Sequence, residues 1–209
     1  MEHLVQLSKD SRLKKIMVLQ EPFQLVKKKG VYLHLCASIM SQQLSTKVAA
    51  VIYARFLQLY PGATPTPQQI ADTPLETLRA IGLSYAKAGY LHNVCIFFIQ
   101  EKITDATLNK LSNGELISYL SQIKGVGQWT VEMILMFTLG REDVFAVDDL
   151  GIQQSMQQLY KLQHLDKKEL KMKMIQIAEK WRPYRTYACR YLWGWKDNKV
   201  PVPAPRQPA

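Results

Sequence analysis

Two glycines and a pair of aspartates are the residues whose types and spacing best suit chemistry. Within the stretch Ile123–Gln154, Gly125 and Gly127 flank one residue, an apolar run follows, and Asp148 and Asp149 come next. Such glycines permit a tight turn that delivers N–H groups to the start of the next helix, where an anion such as phosphate can bind. Asp149 lies 22 residues after Gly127, enough for a three-turn helix and a returning loop. The pattern predicts a phosphate-binding turn with a carboxylate nearby.

The positions of the two aspartates predict different roles for their side chains. Asp148 stands where an N-cap belongs, so we expect its side chain to accept from backbone N–H groups of the following turn. Asp149 would then be the first helical residue, where the positive end of the helix dipole favours the ionised form. This geometry favours Asp149 as the reactive carboxylate. The alternative is that both aspartates only cap the helix.

The elements that must position these groups are all predicted to be helices, because no strand-like alternation persists anywhere. Ser84 is expected to cap one helix, Ser112 to open another with a capping box, and Thr73 to cap a helix starting at Pro74. Helical spacing, caps and Pro/Gly breaks predict helices over 12–20, 31–40, 45–60, 65–72, 74–82, 84–99, 112–119, 128–137, 149–160, 166–180 and 184–193. The fold class is therefore all-α.

Two further patterns concern packing and order. Val48, Ile52, Phe56 and Leu59 recur at helical spacing, which predicts a core face. The segment 200–209 holds four prolines and is expected to be a flexible tail.

Composition narrows the class of protein and of partner. The 209 residues are 47% hydrophobic, which suits a globular chain, and 27 Lys and Arg against 17 Asp and Glu give a net charge of +10. Such a charge suits a polyanion, either nucleic acid or an anionic membrane surface. Cys36, Cys95 and Cys189 are scattered without metal-ligand spacing, so we expect reduced, buried thiols. No signal peptide or membrane span is recognisable, which predicts an intracellular protein of the cytoplasm and nucleoid, or of the nucleus in a eukaryote.

Three blocks of the sequence resemble the 3-methyladenine DNA glycosylase II family of the helix-hairpin-helix DNA glycosylase superfamily. The blocks are 39–45 (IMSQQLS), the stretch from the glycine hairpin to the aspartates, and 181–185 (WRPYR) with Ala188 and Trp193. The resemblance implies two helical lobes with a cleft between them. One lobe would be 31–139, ending in the helix-hairpin-helix motif. Residues 1–30 and 140–209 would form the second, discontinuous lobe.

The resemblance also implies hydrolysis of the N-glycosidic bond of alkylated purines in duplex DNA. The family's catalytic aspartate falls on Asp149, whose charge would stabilise the positive sugar as the base departs. Superfamily members that also nick the strand have a lysine where this chain has Trp129, and tryptophan cannot form a Schiff base. We therefore expect a monofunctional enzyme without lyase activity.

The same likeness places a base pocket around Trp129, Met133 and Trp193, although each has an alternative as a packing residue. Gln42 and Gln43 fall in the family's minor-groove loop. Gln43 is expected to fill the gap that the extruded nucleotide leaves, against the alternative of an ordinary helix-capping loop.

Phosphate contacts are expected around the hairpin. The residues are Lys124, Gly125, Gly127, Gln128 and Thr130, the last also through its hydroxyl. By resemblance, the backbone carbonyls of Ser121, Ile123 and Val126 would hold a monovalent cation, Na⁺ or K⁺. No cofactor is required, and no iron–sulfur cluster is expected, because relatives that carry one use four clustered cysteines.

We expect a monomer that binds double-stranded DNA. Two alternatives stay open: a non-catalytic helix-hairpin-helix DNA-binding protein in which Asp149 only caps, and a glycosylase for deaminated or oxidised bases.

Overall fold

Helices account for the regular structure throughout residues 2–62 and 64–198, the part of the chain that the computed structural model describes. No strand occurs in these ranges, so the predicted all-α class is confirmed. The helices are α1 (Glu2–Leu7), α2 (Ser11–Met17), α3 (Val31–Ser41), α4 (Thr46–Gln58), α5 (Pro67–Asp72), α6 (Leu75–Ala80), α7 (Tyr85–Gln100), α8 (Asp105–Asn109), α9 (Asn113–Leu120), α10 (Gln128–Phe137), α11 (Leu150–Tyr160), α12 (Lys167–Ala178) and α13 (Arg185–Asn198). A 3₁₀ turn, Glu179–Trp181, follows α12. No helix in the described part is long and apolar enough to cross a membrane.

Two of the predicted helix caps, Ser84 and Ser112, are confirmed. Ser84 accepts from the Lys87 N–H at the start of α7, and Ser112 forms the expected capping box at the start of α9. The Thr73 cap was wrong: Pro74 is the extended N-cap of α6, and the Thr73 hydroxyl donates to the Gln69 carbonyl at 2.7 Å. The sequence patterns also missed the short helices α1 and α8.

The chain divides into two units. One takes its parts from the chain ends, Met1–Leu25 and Arg141–Ala209, and the other is the continuous segment Val26–Gly140. The predicted boundaries were 31 and 139–140. The predicted tail, 200–209, lies outside the described residues.

In the continuous unit, α3 is the central helix and packs against α4, α7 and α10. Its nearly unbroken apolar sequence suits contacts on several sides, and Leu35, Cys36 and Ile39 are fully buried. Burying one such side chain contributes about 1.5–3 kcal/mol. The predicted face of α4 is only partly core, since Phe56 is fully buried but Val48 is 46% exposed. Helix α10 packs on α3 and α9, which holds the glycine hairpin between α9 and α10.

In the other unit, α11 packs against α13, α12 and α2. Trp181 is fully buried, and its Nε1 donates to Asp10 Oδ2 at 3.1 Å. The Ser155 hydroxyl of α11 donates to the Leu192 carbonyl of α13 at 3.1 Å. This contact fixes the register of α11, whose N-cap is Asp149, against α13, which contains Trp193.

Candidate active site

The glycine hairpin is a tight turn anchored from inside. The Val126 N–H donates to the Ile123 carbonyl at 2.9 Å, and both of these side chains are almost fully buried. Gly125 has φ +101°, and a Cβ built there would overlap the ring of Tyr90. Only glycine accepts both the left-handed backbone and the close ring. Tyr90 therefore supports the hairpin from α7.

The start of α10 presents donors to solvent. Gly127 is its N-cap and has no side-chain cap hydrogen bond, so the first N–H groups of this 10-residue helix suit an anion. Lys124, Gly127 and Gln128 are exposed, and Asn93 Nδ2 donates to the Lys124 carbonyl at 3.2 Å. These positions are consistent with the predicted phosphate contacts.

One predicted contact at the hairpin needs correction. Thr130 is 3% exposed, so its hydroxyl has almost no surface through which to reach a phosphate. Thr130 lies on the inner face of α10, next to the buried Val131. Only its backbone N–H, in the first turn of the helix, remains a candidate phosphate contact.

The loop between α3 and α4 carries the two predicted minor-groove residues. Gln43 is exposed and has φ +59°, the left-handed region that non-glycine residues seldom adopt. Gln42 ends α3, and its carbonyl accepts from Lys87 Nζ at 2.6 Å. Burial lowers the pKa of Lys87. The hydrogen bond from Lys87 thus anchors the loop, while the Gln43 side chain is exposed to solvent.

The two pocket candidates on α10 differ in exposure. Trp129 is 43% exposed, so the alternative of a core tryptophan is wrong at this position. Met133 is half-buried one turn later on the same helix.

The structure gives the capping role to the other aspartate of the pair. Asp149, not Asp148, is the N-cap of α11, with extended backbone, and its Oδ1 accepts from the Ile152 N–H at 2.8 Å. Helix α11 begins at Leu150, one residue later than predicted. The prediction that Asp148 caps the helix, and that the Asp149 carboxylate makes no capping hydrogen bond, was therefore wrong.

Asp148 has a different partner. Both of its carboxylate oxygens accept from Lys171 Nζ of α12, at 2.7 and 2.8 Å. The two side chains are 50% and 45% exposed. An exposed pair of this kind contributes about 0–1 kcal/mol, so Asp148 is a surface ion-pair residue.

Trp193 adds a second hydrogen bond to the Asp149 carboxylate. Its Nε1 donates to Asp149 Oδ1 at 2.8 Å, so the same oxygen accepts from a backbone N–H and from an indole N–H. Gly151 makes this approach possible, because a Cβ there would lie 3.1 Å from both Asp149 Oδ1 and Trp193 Cδ1. The preceding loop is tied down by Gln153 Nε2, which donates to the Val147 carbonyl at 3.0 Å. The carboxylate is therefore held in one orientation.

Two of the contacts described above had no signal in the sequence. The contact of Gly125 with Tyr90 and the hydrogen bond from Trp193 to Asp149 join positions that are 35 and 44 residues apart. The pair of Gln128 Nε2 with Glu132 Oε1, at 2.9 Å, has the spacing of one helical turn and could have been found from it.

The three carbonyls predicted to hold a cation surround one turn. Ser121 follows the last residue of α9, the Ile123 carbonyl already accepts one N–H, and Val126 precedes the N-cap of α10. Backbone oxygen is a donor that hard cations such as Na⁺ and K⁺ accept, and a carbonyl has two lone pairs. The residues fit such an ion. Cys36, Cys95 and Cys189 are buried and are not joined in disulfides, as expected.

Comparison with known proteins gives one family. The model of the HhH-GPD superfamily base excision DNA repair proteins matches residues 36–183. DNA-3-methyladenine glycosylase 1 of Schizosaccharomyces pombe is 39% identical over 191 residues, which cover 90% of this chain and 82% of that protein.

Solved structures give the same result. The crystal structure of a DNA-3-methyladenine glycosidase from Bacillus halodurans matches with a TM-score of 0.79 and 37% identity, over 91% of this chain and 87% of that one. The structure of the S. pombe 3-methyladenine DNA glycosylase in complex with abasic DNA matches with a TM-score of 0.81 and 35% identity, over 98% of this chain and 100% of that one. The resemblance inferred from the hairpin and the aspartates is confirmed, and the chain belongs to the HhH-GPD superfamily of base excision DNA repair proteins.

Proposed function

We propose that this chain is a DNA glycosylase that hydrolyses the N-glycosidic bond of alkylated purines in duplex DNA and leaves an abasic site for base excision repair. The observation that carries the proposal is the held carboxylate of Asp149, which accepts from Trp193 and Ile152. It occurs in a chain 39% identical to a 3-methyladenine DNA glycosylase.

The chemistry needs little more than a fixed negative charge. An alkylated purine is already cationic, so when the bond to C1′ breaks, the electron pair neutralises the base and it leaves without a strong general acid. Positive charge then grows on the sugar, and the Asp149 carboxylate stabilises it. Water oriented by the same carboxylate adds to C1′, and its proton passes to that carboxylate.

The hairpin and the α3–α4 loop supply the DNA contacts in this proposal. Lys124, Gly127 and Gln128 bind the phosphate backbone, and Gln43 occupies the gap that the extruded nucleotide leaves. A Na⁺ or K⁺ ion on the carbonyls of Ser121, Ile123 and Val126 would add positive charge facing a phosphate. The enzyme acts as an intracellular monomer on double-stranded DNA.

We expect no strand-nicking step, because Trp129 has no amine with which to attack the sugar. Incubation with lesion-containing duplex and sodium borohydride should therefore trap no covalent protein–DNA adduct, while abasic sites accumulate and become cleavable by alkali. A trapped adduct on denaturing gels, or strand breaks without alkali treatment, would exclude a purely hydrolytic enzyme.

Trp193→Phe should slow base release about tenfold, because phenylalanine keeps the ring but cannot donate to Asp149 Oδ1. A hydrogen bond to a charged group contributes about 1.5–3 kcal/mol. The single-turnover rate at saturating enzyme measures the effect, and duplex affinity should change less than threefold.

Trp181→Phe is the matched control, because it removes an indole hydrogen bond to a different carboxylate, Asp10. It should lower stability and leave the rate of the folded fraction unchanged. Equal rate losses in both variants would contradict a positioning role for Trp193.

Substrate class is tested with a panel of duplexes that each contain one lesion. The proposal predicts release of 3-methyladenine and 7-methylguanine, with no release of uracil or 8-oxoguanine above background. Preferential release of a deaminated or oxidised base would contradict the assignment to alkylated purines. Tight duplex binding without release of any base would identify a non-catalytic DNA-binding protein.

A further inference from the structure

A basic cavity lies in the unit formed by the chain ends, and none of its lining residues is a partner of Asp149 named above. It has a volume of about 610 Å³ and is bounded by the start of α2, the end of α11 and one face of α12. This volume is in the range of small-molecule sites, which is roughly 300–1,000 Å³.

Four cationic side chains line the cavity: Lys9, Arg12, Lys173 and Lys180. The one acidic residue of the lining, Asp10, has its carboxylate fully used inside the protein. Its Oδ1 accepts from two backbone N–H groups at the start of α2, and its Oδ2 accepts from the Tyr160 hydroxyl at 2.7 Å and from an indole N–H at 3.1 Å. Four hydrogen bonds fill the accepting positions of a carboxylate.

None of the four cations has a carboxylate within ion-pair distance in the part of the chain that the structure describes. Lys9 Nζ and Lys173 Nζ donate instead to neutral amide oxygens, of Gln6 at 2.8 Å and of Gln176 at 2.9 Å. The four cations outnumber the single carboxylate of the lining, so three positive charges remain in excess and attract an anion into the cavity.

One of the cations is already oriented. Arg12 Nη1 donates to the Tyr160 carbonyl at 2.8 Å, and its guanidinium lies 5.4 Å from the centre of the Tyr160 ring. Leu162 and Ile177 add apolar walls. A guanidinium fixed beside apolar walls suits a ligand that combines a phosphate with a flat organic group.

We propose that this cavity binds a free mononucleotide, with its phosphates on the basic side chains and its base against Leu162 and Ile177. The concave shape favours this ligand over the DNA substrate, because a duplex presents its phosphates on a broad convex surface, whereas a mononucleotide is small enough to enter a cavity of about 610 Å³. A nucleotide also combines phosphate, which suits the basic side chains, with a flat base, which suits the apolar walls.

The test titrates the full-length protein with ADP, AMP, pyrophosphate, inorganic phosphate and adenosine, in EDTA at fixed ionic strength. Calorimetry gives affinities, and amide chemical shifts identify the residues affected. We expect ADP to bind most tightly, pyrophosphate and phosphate at least fivefold more weakly, and adenosine weakly or not at all. Shift changes should centre on Arg12, Tyr160 and Leu162.

The test variant is Lys173→Gln with Lys180→Gln. Its matched control is Lys167→Gln with Lys168→Gln, which removes the same charge from the first turn of α12, outside the lining. The first pair should weaken ADP binding at least tenfold and the control less than twofold.

Three outcomes would overturn the proposal. The first is the absence of ADP binding to the unchanged protein at millimolar concentration. The second is pyrophosphate binding as tight as that of ADP. The third is a loss of affinity for a DNA duplex in the test variant but not in the control, which would make the cavity part of the DNA-binding surface.

Discussion

Asp149→Asn is expected to slow the release of alkylated bases by about 10²–10⁴-fold while the protein stays folded and still binds duplex DNA. The substitution removes one negative charge and almost nothing else. Asparagine is an excellent N-cap residue, and its carbonyl oxygen can accept from the Ile152 N–H and from Trp193 Nε1 as Oδ1 does. The loss of rate would therefore report the charge rather than the cap. Single-turnover base release and duplex affinity, measured on the same preparation, separate the two.

Asp148→Asn is the matched control. It removes the same charge one residue earlier, breaks only the exposed pair with Lys171, and should change the rate less than threefold. A slower Asp148→Asn enzyme beside an active Asp149→Asn enzyme would exchange the two assignments. Full activity in both variants would leave Asp149 as a helix cap only.

Gly125→Ala is expected to produce the second large effect, on the hairpin itself. A methyl group at this position overlaps the Tyr90 ring, and the backbone has φ +101°, so the turn must change shape. Left-handed backbone alone costs a non-glycine residue about 1–2 kcal/mol, and the overlap adds to this. We expect the free energy of unfolding to fall by about 2–4 kcal/mol and duplex affinity to fall at least tenfold, because the N–H groups at the start of α10 lose their alignment.

Gly114→Ala is the control for this change. Gly114 lies in α9, has no atom within 4 Å of a built Cβ, and has no positive φ. Alanine there should keep or slightly raise stability. Denaturant unfolding and duplex titration measure both variants. A Gly125→Ala protein with unchanged stability and affinity would show that the hairpin does not depend on the close packing against Tyr90.

The sequence predicted what rests on local chemistry. Ser84 and Ser112 cap their helices as expected, since a cap depends on residues within one turn. The hairpin was recognisable for the same reason, because Gly125 and Gly127 are close in sequence and their conformational freedom is intrinsic. The spacing from the hairpin to Asp149, together with the two other sequence blocks, indicated the family, and the comparisons confirm it.

The errors at the candidate site came from long-range contacts that no local pattern encodes. Asp148 was expected to cap α11, but Lys171, 23 residues away, pairs with it, and Asp149 takes the cap. Thr130 was expected to offer its hydroxyl to a phosphate, but the packing of α10 turns that face inward. The hydrogen bond from Trp193 to Asp149 likewise depends on how α11 and α13 pack.

We expect this chain to release alkylated purines by means of Asp149. Quantifying the released bases tests this expectation. Duplex DNA methylated with dimethyl sulfate is incubated with the purified protein or with Asp149→Asn, and the soluble fraction is separated by chromatography. We predict release of 3-methyladenine and 7-methylguanine by the unchanged protein, with release by the variant close to the no-enzyme level. Retention of all methylated bases by DNA incubated with the unchanged protein, or equal release by both proteins, would contradict the account.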